Sequence, residues 1–222
     1  MRKGLTEVVF ILDRSGSMRG LESDTIGGFN SMLEKQKNEE GDVIISTVLF
    51  DNQSEVLYDR VPVEKVEPMN ERCYYVRGCT ALLDALGGAI HHIGNVHKHA
   101  KKNNRPEKTL FIITTDGMEN ASQRYTYDKV KQMVERQKKQ YGWEFLFIGA
   151  NIDAINVAGR FGIAPDRAVK YECDSKGTRS NFNAISKMVT GYRKSTSQAE
   201  VDFVLKECCE AISEDYNERH RA

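Results

Sequence analysis

The chain has 222 residues, of which 40% are hydrophobic and 29% charged, a globular composition that excludes extensive disorder. Its 32 basic and 32 acidic residues balance, so we expect no nucleic-acid partner. The apolar runs are far shorter than the roughly 20 residues of a membrane helix. An odd count of five cysteines and an N-terminus without a signal-like apolar core predict a cytoplasmic protein with reduced thiols and no membrane contact.

Apolar runs and amphipathic segments alternate along the chain. Continuous apolar runs predict strands that are buried on both faces. Apolar residues three or four apart predict helices, and Ser23 or Asp24 can cap the first of them. A polar turn between the second and third strands predicts a hairpin. The predicted strands are 7–13, 42–50, 55–63, 109–115, 143–150 and 168–171, and the predicted helices are 24–40, 80–101, 126–140, 152–161, 178–192 and 198–216.

This alternation predicts a doubly wound α/β fold. We expect a mostly parallel central sheet with one antiparallel edge strand, helices on both faces, and further helices at the C-terminus. Residues 1–175 are expected to form the α/β domain, and residues 176–222 a helical extension packed on it. In such sheets ligands bind beyond the carboxyl ends of the strands, so functional residues are expected there.

Five residues with oxygen-bearing side chains are predicted to meet at this edge. The first strand ends in a D-x-S-x-S sequence formed by Asp13, Ser15 and Ser17, whose alternate residues project to one side. Thr80 opens the second predicted helix, and Asp116 follows the fourth predicted strand. Carboxylate and hydroxyl oxygens without histidine or thiolate suit a hard divalent cation. We therefore predict a metal site at this edge that is made of these five residues.

In these motifs the sequence resembles a von Willebrand factor A domain, and the five residues match its metal-ion-dependent adhesion site. The resemblance covers roughly residues 3–171, and residues 147–154 are similar to a stretch in small stand-alone bacterial and phage members. It implies a Rossmann-like fold, Mg²⁺ or Mn²⁺ as the cofactor, and a protein partner whose Glu or Asp side chain binds the ion. Catalysis is not the usual role, so we expect no enzyme. Bacterial intracellular members often work with AAA+ ATPases or near stress-resistance genes.

Five further residues near the predicted metal site are candidates for contact with such a partner. Arg14 and Met18 flank the D-x-S-x-S residues, Glu119 follows the Asp-Gly turn, and Asn151 and Asp153 follow a buried strand. Each also has an ordinary explanation. Arg14 can be a solvated side chain, and the others can be loop residues, with Asp153 capping the next helix.

Two other functions compete with the binding module. One is a Mg²⁺-dependent phosphohydrolase of the haloacid-dehalogenase kind, in which Asp13 would be the nucleophile. That chemistry usually needs a second acid two residues later, where this chain has Ser15. The other is a prophage-derived structural component with a vestigial site. The sequence leaves open which ion is used, who the partner is and which oligomeric state the protein has.

Overall fold

The computed structural model describes residues 1–221, in which strands and helices alternate as the apolar pattern predicts. Short 3₁₀ turns fill several of the connections. The strands are β1 (Arg2–Asp13), β2 (Val43–Phe50), β3 (Ser54–Pro62), β4 (Pro106–Thr115), β5 (Glu144–Gly149) and β6 (Ala168–Lys170). The α-helices are α1 (Glu22–Lys37), α2 (Leu82–His99), α3 (Tyr127–Tyr141), α4 (Ala154–Arg160), α5 (Ser175–Lys194) and α6 (Gln198–Arg219).

The six strands form one mixed sheet in the order β3-β2-β1-β4-β5-β6. Strand β3 pairs antiparallel with β2 at one edge. All other neighbouring strands pair parallel. The chain thus starts in the middle of the sheet, builds outward on one side, and then crosses to the other side. This arrangement confirms the predicted fold class, including the single antiparallel edge strand.

The central strand β1 is buried on both faces and separates two layers of core. Val8, Phe10 and Leu12 point to one face, where they pack with residues of α1, α5 and α6. Val9 and Ile11 point to the other face, where they pack with residues of α2, α3 and α4. The alternation follows from the two-residue period of a strand. Burying one such aliphatic or aromatic side chain contributes roughly 1.5–3 kcal/mol.

The two C-terminal helices belong to the first of these core layers. Ile185 and Met188 of α5 and Leu205 of α6 lie in the same hydrophobic cluster as Val8 of β1. Helix α5 begins at Ser175, and the side chain of the preceding Asp174 caps it by accepting a hydrogen bond from the Gly177 N–H. A helical extension was expected over residues 176–222. The structure describes it as far as residue 221, and Ala222 lies outside the described residues.

Two helix starts differ from the predictions. Helix α1 begins two residues earlier than expected, at Glu22, so Ser23 and Asp24 lie in its first turn and do not cap it. Helix α2 begins at Leu82, two residues after Thr80, and its N-cap position is Ala81. Thr80 therefore lies in the loop before the helix. Its backbone N–H donates a hydrogen bond to the side chain of Asn120, in the loop after β4. Within residues 1–221, no helix is long and apolar enough to cross a bilayer.

Candidate metal centre

The carboxylate of Asp13 is fixed at the end of the central strand. Its Oδ1 accepts a hydrogen bond from the Ser15 N–H across 2.7 Å, and its Oδ2 accepts one from the Thr115 hydroxyl across 2.6 Å. The second contact follows from the parallel pairing of β1 with β4, which aligns Leu12 with Thr114. The sheet register thus places Asp13, at the end of β1, close to Asp116, which follows the end of β4.

Three hydroxyl groups form a chain that ends at the second carboxylate. The oxygens of Ser15 and Ser17 lie 3.1 Å apart, and the Thr80 hydroxyl donates to that of Ser15 across 3.1 Å. The Ser17 hydroxyl donates to Asp116 Oδ1. All five residues predicted from the sequence are therefore in one cluster, although they come from three separate segments.

The cluster fits a small divalent cation. Neighbouring ligands around an octahedral ion at 2.0–2.1 Å are about 2.9 Å apart. The two hydroxyl separations of 3.1 Å are close to that value. Among residues 1–221 no group of three or more His, Cys, Asp or Glu side chains is arranged to hold a metal. An ion at this edge would consequently depend on hydroxyl ligands beside the two carboxylates, which favours a hard cation.

Both carboxyl groups carry a cost of burial. Burial raises the pKa of Asp13 from 3.8 to about 6; hydrogen bonds from Thr115 and Ser15 oppose this rise, and the neighbouring Asp116 charge adds to it. Burial also raises the pKa of Asp116, against a hydrogen bond from Ser17. No cationic side chain of the described residues is ion-paired with either group. A bound divalent cation would supply the positive charge that these two carboxylates lack.

A loop after β4 fixes the position of Thr80. The side chain of Asn120 accepts a hydrogen bond from the Thr80 N–H across 2.9 Å, and the Thr80 carbonyl accepts one from the Asn120 N–H across 3.0 Å. Gly117 allows this loop to come close, because a Cβ there would lie 3.2 Å from Thr80 Oγ1 and 3.3 Å from Ser17 Oγ. A larger residue at that position would therefore push the Thr80 and Ser17 hydroxyls by a few tenths of an ångström.

Solved structures of similar shape identify the architecture. Proximal thread matrix protein 1 from the mussel byssus, in a structure with a zinc-occupied MIDAS motif, matches 84% of this chain with a TM-score of 0.57 and 15% identity. The von Willebrand factor type A structure from Catenulispora acidiphila matches 84% of this chain with a TM-score of 0.54 and 13% identity. The chain has the fold of a von Willebrand factor A domain.

The likeness is one of fold alone, since both identities are low. This chain spans 46% of the mussel protein and 42% of the Catenulispora protein, which is less than half of each. No family model matches the sequence. No curated protein matches it either.

Two of the residues expected to face a partner are buried. Arg14, the residue after the last residue of β1, is fully buried, and its side chain projects to the side opposite that of Asp13. There its guanidinium contacts Asp51 and Glu55 at 2.9 and 2.8 Å. Met18 is 5% exposed and ends a short 3₁₀ turn with its side chain in the protein. The expectation that these two side chains are available to a partner was wrong.

The other three expected contact residues have different surroundings. The carboxylate of Glu119 accepts hydrogen bonds from the N–H groups of Leu83, Ala121 and Ser122 and from the Ser122 hydroxyl. It therefore closes its own loop onto the start of α2. Asp153 caps α4 by accepting the Asn156 N–H across 3.1 Å. Asn151 is exposed with a positive φ of 54°. For all three residues, contact with a partner stays a prediction.

The sequence reasoning missed residues that support the centre. The Tyr74 hydroxyl, fully buried, donates to the Asp13 carbonyl across 2.6 Å. The Cys173 thiol lies 3.5 Å from Asp116 Oδ2. Burial and the adjacent Asp116 charge raise the pKa of Cys173 to about 12, so at neutral pH it is a thiol that donates to the carboxylate. In the sequence, the only sign of this role is that Cys173 follows β6 and so comes at the same edge of the sheet.

Proposed function

We propose that this chain is a cytoplasmic, metal-dependent protein-binding module. Asp13, Ser15, Ser17, Thr80 and Asp116 would hold Mg²⁺ or Mn²⁺, directly or through water. The observation that carries the proposal is the convergence of these five oxygen-bearing side chains, two of them buried carboxylates without a cationic partner among residues 1–221.

The partner would be a protein that offers an exposed Glu or Asp side chain. Two carboxylates balance a divalent charge, whereas neutral hydroxyls donate weakly, so the bound ion remains a Lewis acid for one more anionic oxygen. The zinc-occupied MIDAS motif of the mussel protein, which has the same fold, supports metal binding at this edge. The resemblance to stand-alone bacterial members favours a partner in an AAA+ ATPase or stress-response complex.

We propose binding without turnover. A phosphohydrolase would need a free nucleophilic Asp13 and an acid at position 15, where this chain has a buried serine. Both oxygens of Asp13 instead accept hydrogen bonds, one from the Ser15 N–H and one from the Thr115 hydroxyl. These contacts suit a carboxylate that holds an ion better than one that attacks phosphorus.

Mn²⁺ is the best probe of this centre, because the free ion can be counted by electron paramagnetic resonance. We expect the protein to bind one Mn²⁺, and Asp13→Ala to bind none at the same concentrations. A short peptide with one Glu, added at millimolar concentration, should displace water from the bound ion and lower its effect on water-proton relaxation. The matched peptide with Gln should leave the relaxation unchanged.

Each result has a clear meaning. Mn²⁺ binding that Asp13→Ala retains would place the ion elsewhere and refute the proposed centre. Binding of the ion with an equal response to the Glu and Gln peptides would refute carboxylate recognition. Hydrolysis of a generic aryl phosphate that depends on Mg²⁺ and is lost in Asp13→Asn would overturn the proposal of binding without turnover.

A further inference from the structure

Three segments meet behind the candidate metal centre. They are the metal loop (13–17), the hairpin turn (51–53), and the approach segment (77–81), which lies just before α2. Thr80 stands in the approach segment, while its hydrogen-bond partner Ser15 stands in the metal loop. The ligand cluster therefore keeps its shape only if these segments hold a fixed relative position.

The metal loop and the approach segment are joined directly by backbone hydrogen bonds. The Arg77 N–H donates to the Arg14 carbonyl across 2.9 Å, and the Gly16 N–H donates to the Gly78 carbonyl across 3.1 Å. These bonds align the two segments, but in the approach segment they involve Arg77 and Gly78, which lie three and two residues before Thr80. A further restraint is needed nearer to the threonine.

The hairpin turn provides that restraint. The Asp51 carbonyl accepts a hydrogen bond across 2.8 Å from the N–H of Ala81, the residue after Thr80. The turn and the approach segment are also in close contact, since a Cβ at Gly78 would lie 2.3 Å from Asn52 Oδ1. Movement of the turn would therefore displace Thr80.

One buried ion pair ties the turn to the metal loop and completes a triangle. Arg14 Nε donates to Asp51 Oδ2 across 2.9 Å, and both side chains are fully buried. The same oxygen accepts a hydrogen bond from Arg77 Nε across 2.8 Å. Asp51 thus contacts the metal loop through one arginine and the approach segment through the other arginine and its own carbonyl.

We propose that Arg14 and Asp51 are positioning residues whose buried ion pair holds Thr80 against Ser15 and so sets the affinity for the divalent ion. This inference rests on the proposed function, because it concerns the same metal centre. Groups that orient metal ligands without touching the ion typically change metal affinity 10–100-fold when they are removed. Arg14 fits this role because its guanidinium projects away from the centre.

The test compares Mn²⁺ dissociation constants of folded variants at low temperature with their melting temperatures in EDTA. Asp51→Asn and Arg14→Met should each weaken Mn²⁺ binding about tenfold or more. The double variant should weaken binding by less than the product of the two single effects, since the two single variants remove the same ion pair. Arg77→Gln, whose side chain is 43% exposed, should fold normally and weaken binding by a smaller factor.

Glu7→Gln is the matched control for loss of stability. Glu7 is fully buried and is paired with Arg60. Glu7 and Asp13 both belong to β1, where six residues of strand separate them by about 20 Å. Glu7→Gln should lower the melting temperature without changing the dissociation constant. If Asp51→Asn and Arg14→Met do fold, wild-type affinity in both would overturn the positioning role. If they do not fold, wild-type affinity in Arg77→Gln would overturn it. Failure of the wild-type protein to bind Mn²⁺ would instead refute the proposed metal centre.

Discussion

The Thr80 hydroxyl donates a hydrogen bond to the Ser15 hydroxyl across 3.1 Å, although 65 residues separate the two in the chain. Neither residue lies within an α-helix or β-strand. The contact is maintained by loops that are fastened to one another through Asn120 and Asp51. The shape of the candidate centre is therefore a property of the loop network, while the sheet determines only which strand ends are adjacent.

Metal binding should raise thermal stability. An ion present at a hundredfold excess over its dissociation constant stabilises the folded state by about 2.7 kcal/mol if it binds only that state. For a domain of this size the melting temperature should rise by roughly 5–10 °C between EDTA and saturating Mg²⁺ or Mn²⁺. Asp116→Ala should lose the rise, whereas Glu71→Gln, which changes an exposed acid between β3 and α2, should keep it. Equal shifts in both variants would contradict the assignment.

Asp13→Asn should stabilise the protein in EDTA. The folded state raises the pKa of Asp13 from 3.8 to about 6, so its ionisation opposes folding. The cost is absent below about pH 3.8, grows as the pH rises, and is complete above about pH 6, where it is on the order of 3 kcal/mol. Unfolding in urea should show wild-type stability falling across this window and a smaller fall in Asp13→Asn. At pH 7 the variant should be the more stable protein in EDTA but should gain nothing from Mn²⁺. A variant that is less stable at pH 7 in EDTA would contradict this account.

Glu119→Ala should destabilise the fold, because Glu119 is a loop anchor and not a free surface acid. The change leaves the half-buried N–H groups of Leu83, Ala121 and Ser122 without their acceptor. Each unsatisfied donor costs about 1–3 kcal/mol, part of which water can recover at this half-buried site. Thermal unfolding in EDTA measures the loss. Met118→Ser, in the same loop but 70% exposed, is the control and should change stability little. A neutral Glu119→Ala would revive the partner-contact interpretation.

The sequence was sufficient to predict the sheet and the proximity of five oxygen-bearing side chains, because both depend on local patterns; that these side chains bind a metal stays a prediction. Buried parallel strands are continuous apolar runs, and ligands that follow strand ends meet wherever those strands pair. The contact predictions for Arg14 and Met18 failed for a different reason. Whether a loop side chain faces solvent depends on which distant loop packs against it, and Asp51 has no sequence pattern that links it to Arg14. The capping role of Asp153, by contrast, follows from its place directly before a helix.

Two adjacent glycines of α1 test how α5 packs on the domain. A Cβ at Gly28 would lie 2.4 Å from the ring of Phe182 in α5, whereas a Cβ at Gly27 would meet nothing within 4 Å. Gly27→Ala should stabilise the protein by roughly 0.5–1 kcal/mol, because alanine restricts the unfolded chain and favours helix. Gly28→Ala receives the same benefit but must displace a ring that is 6% exposed, so it should be destabilising by about 1–2 kcal/mol. Urea unfolding of the two variants measures the difference, and adding Phe182→Leu should recover part of the loss only in Gly28→Ala. Equal stabilisation by both alanines would mean that α5 does not pack against α1 at this point.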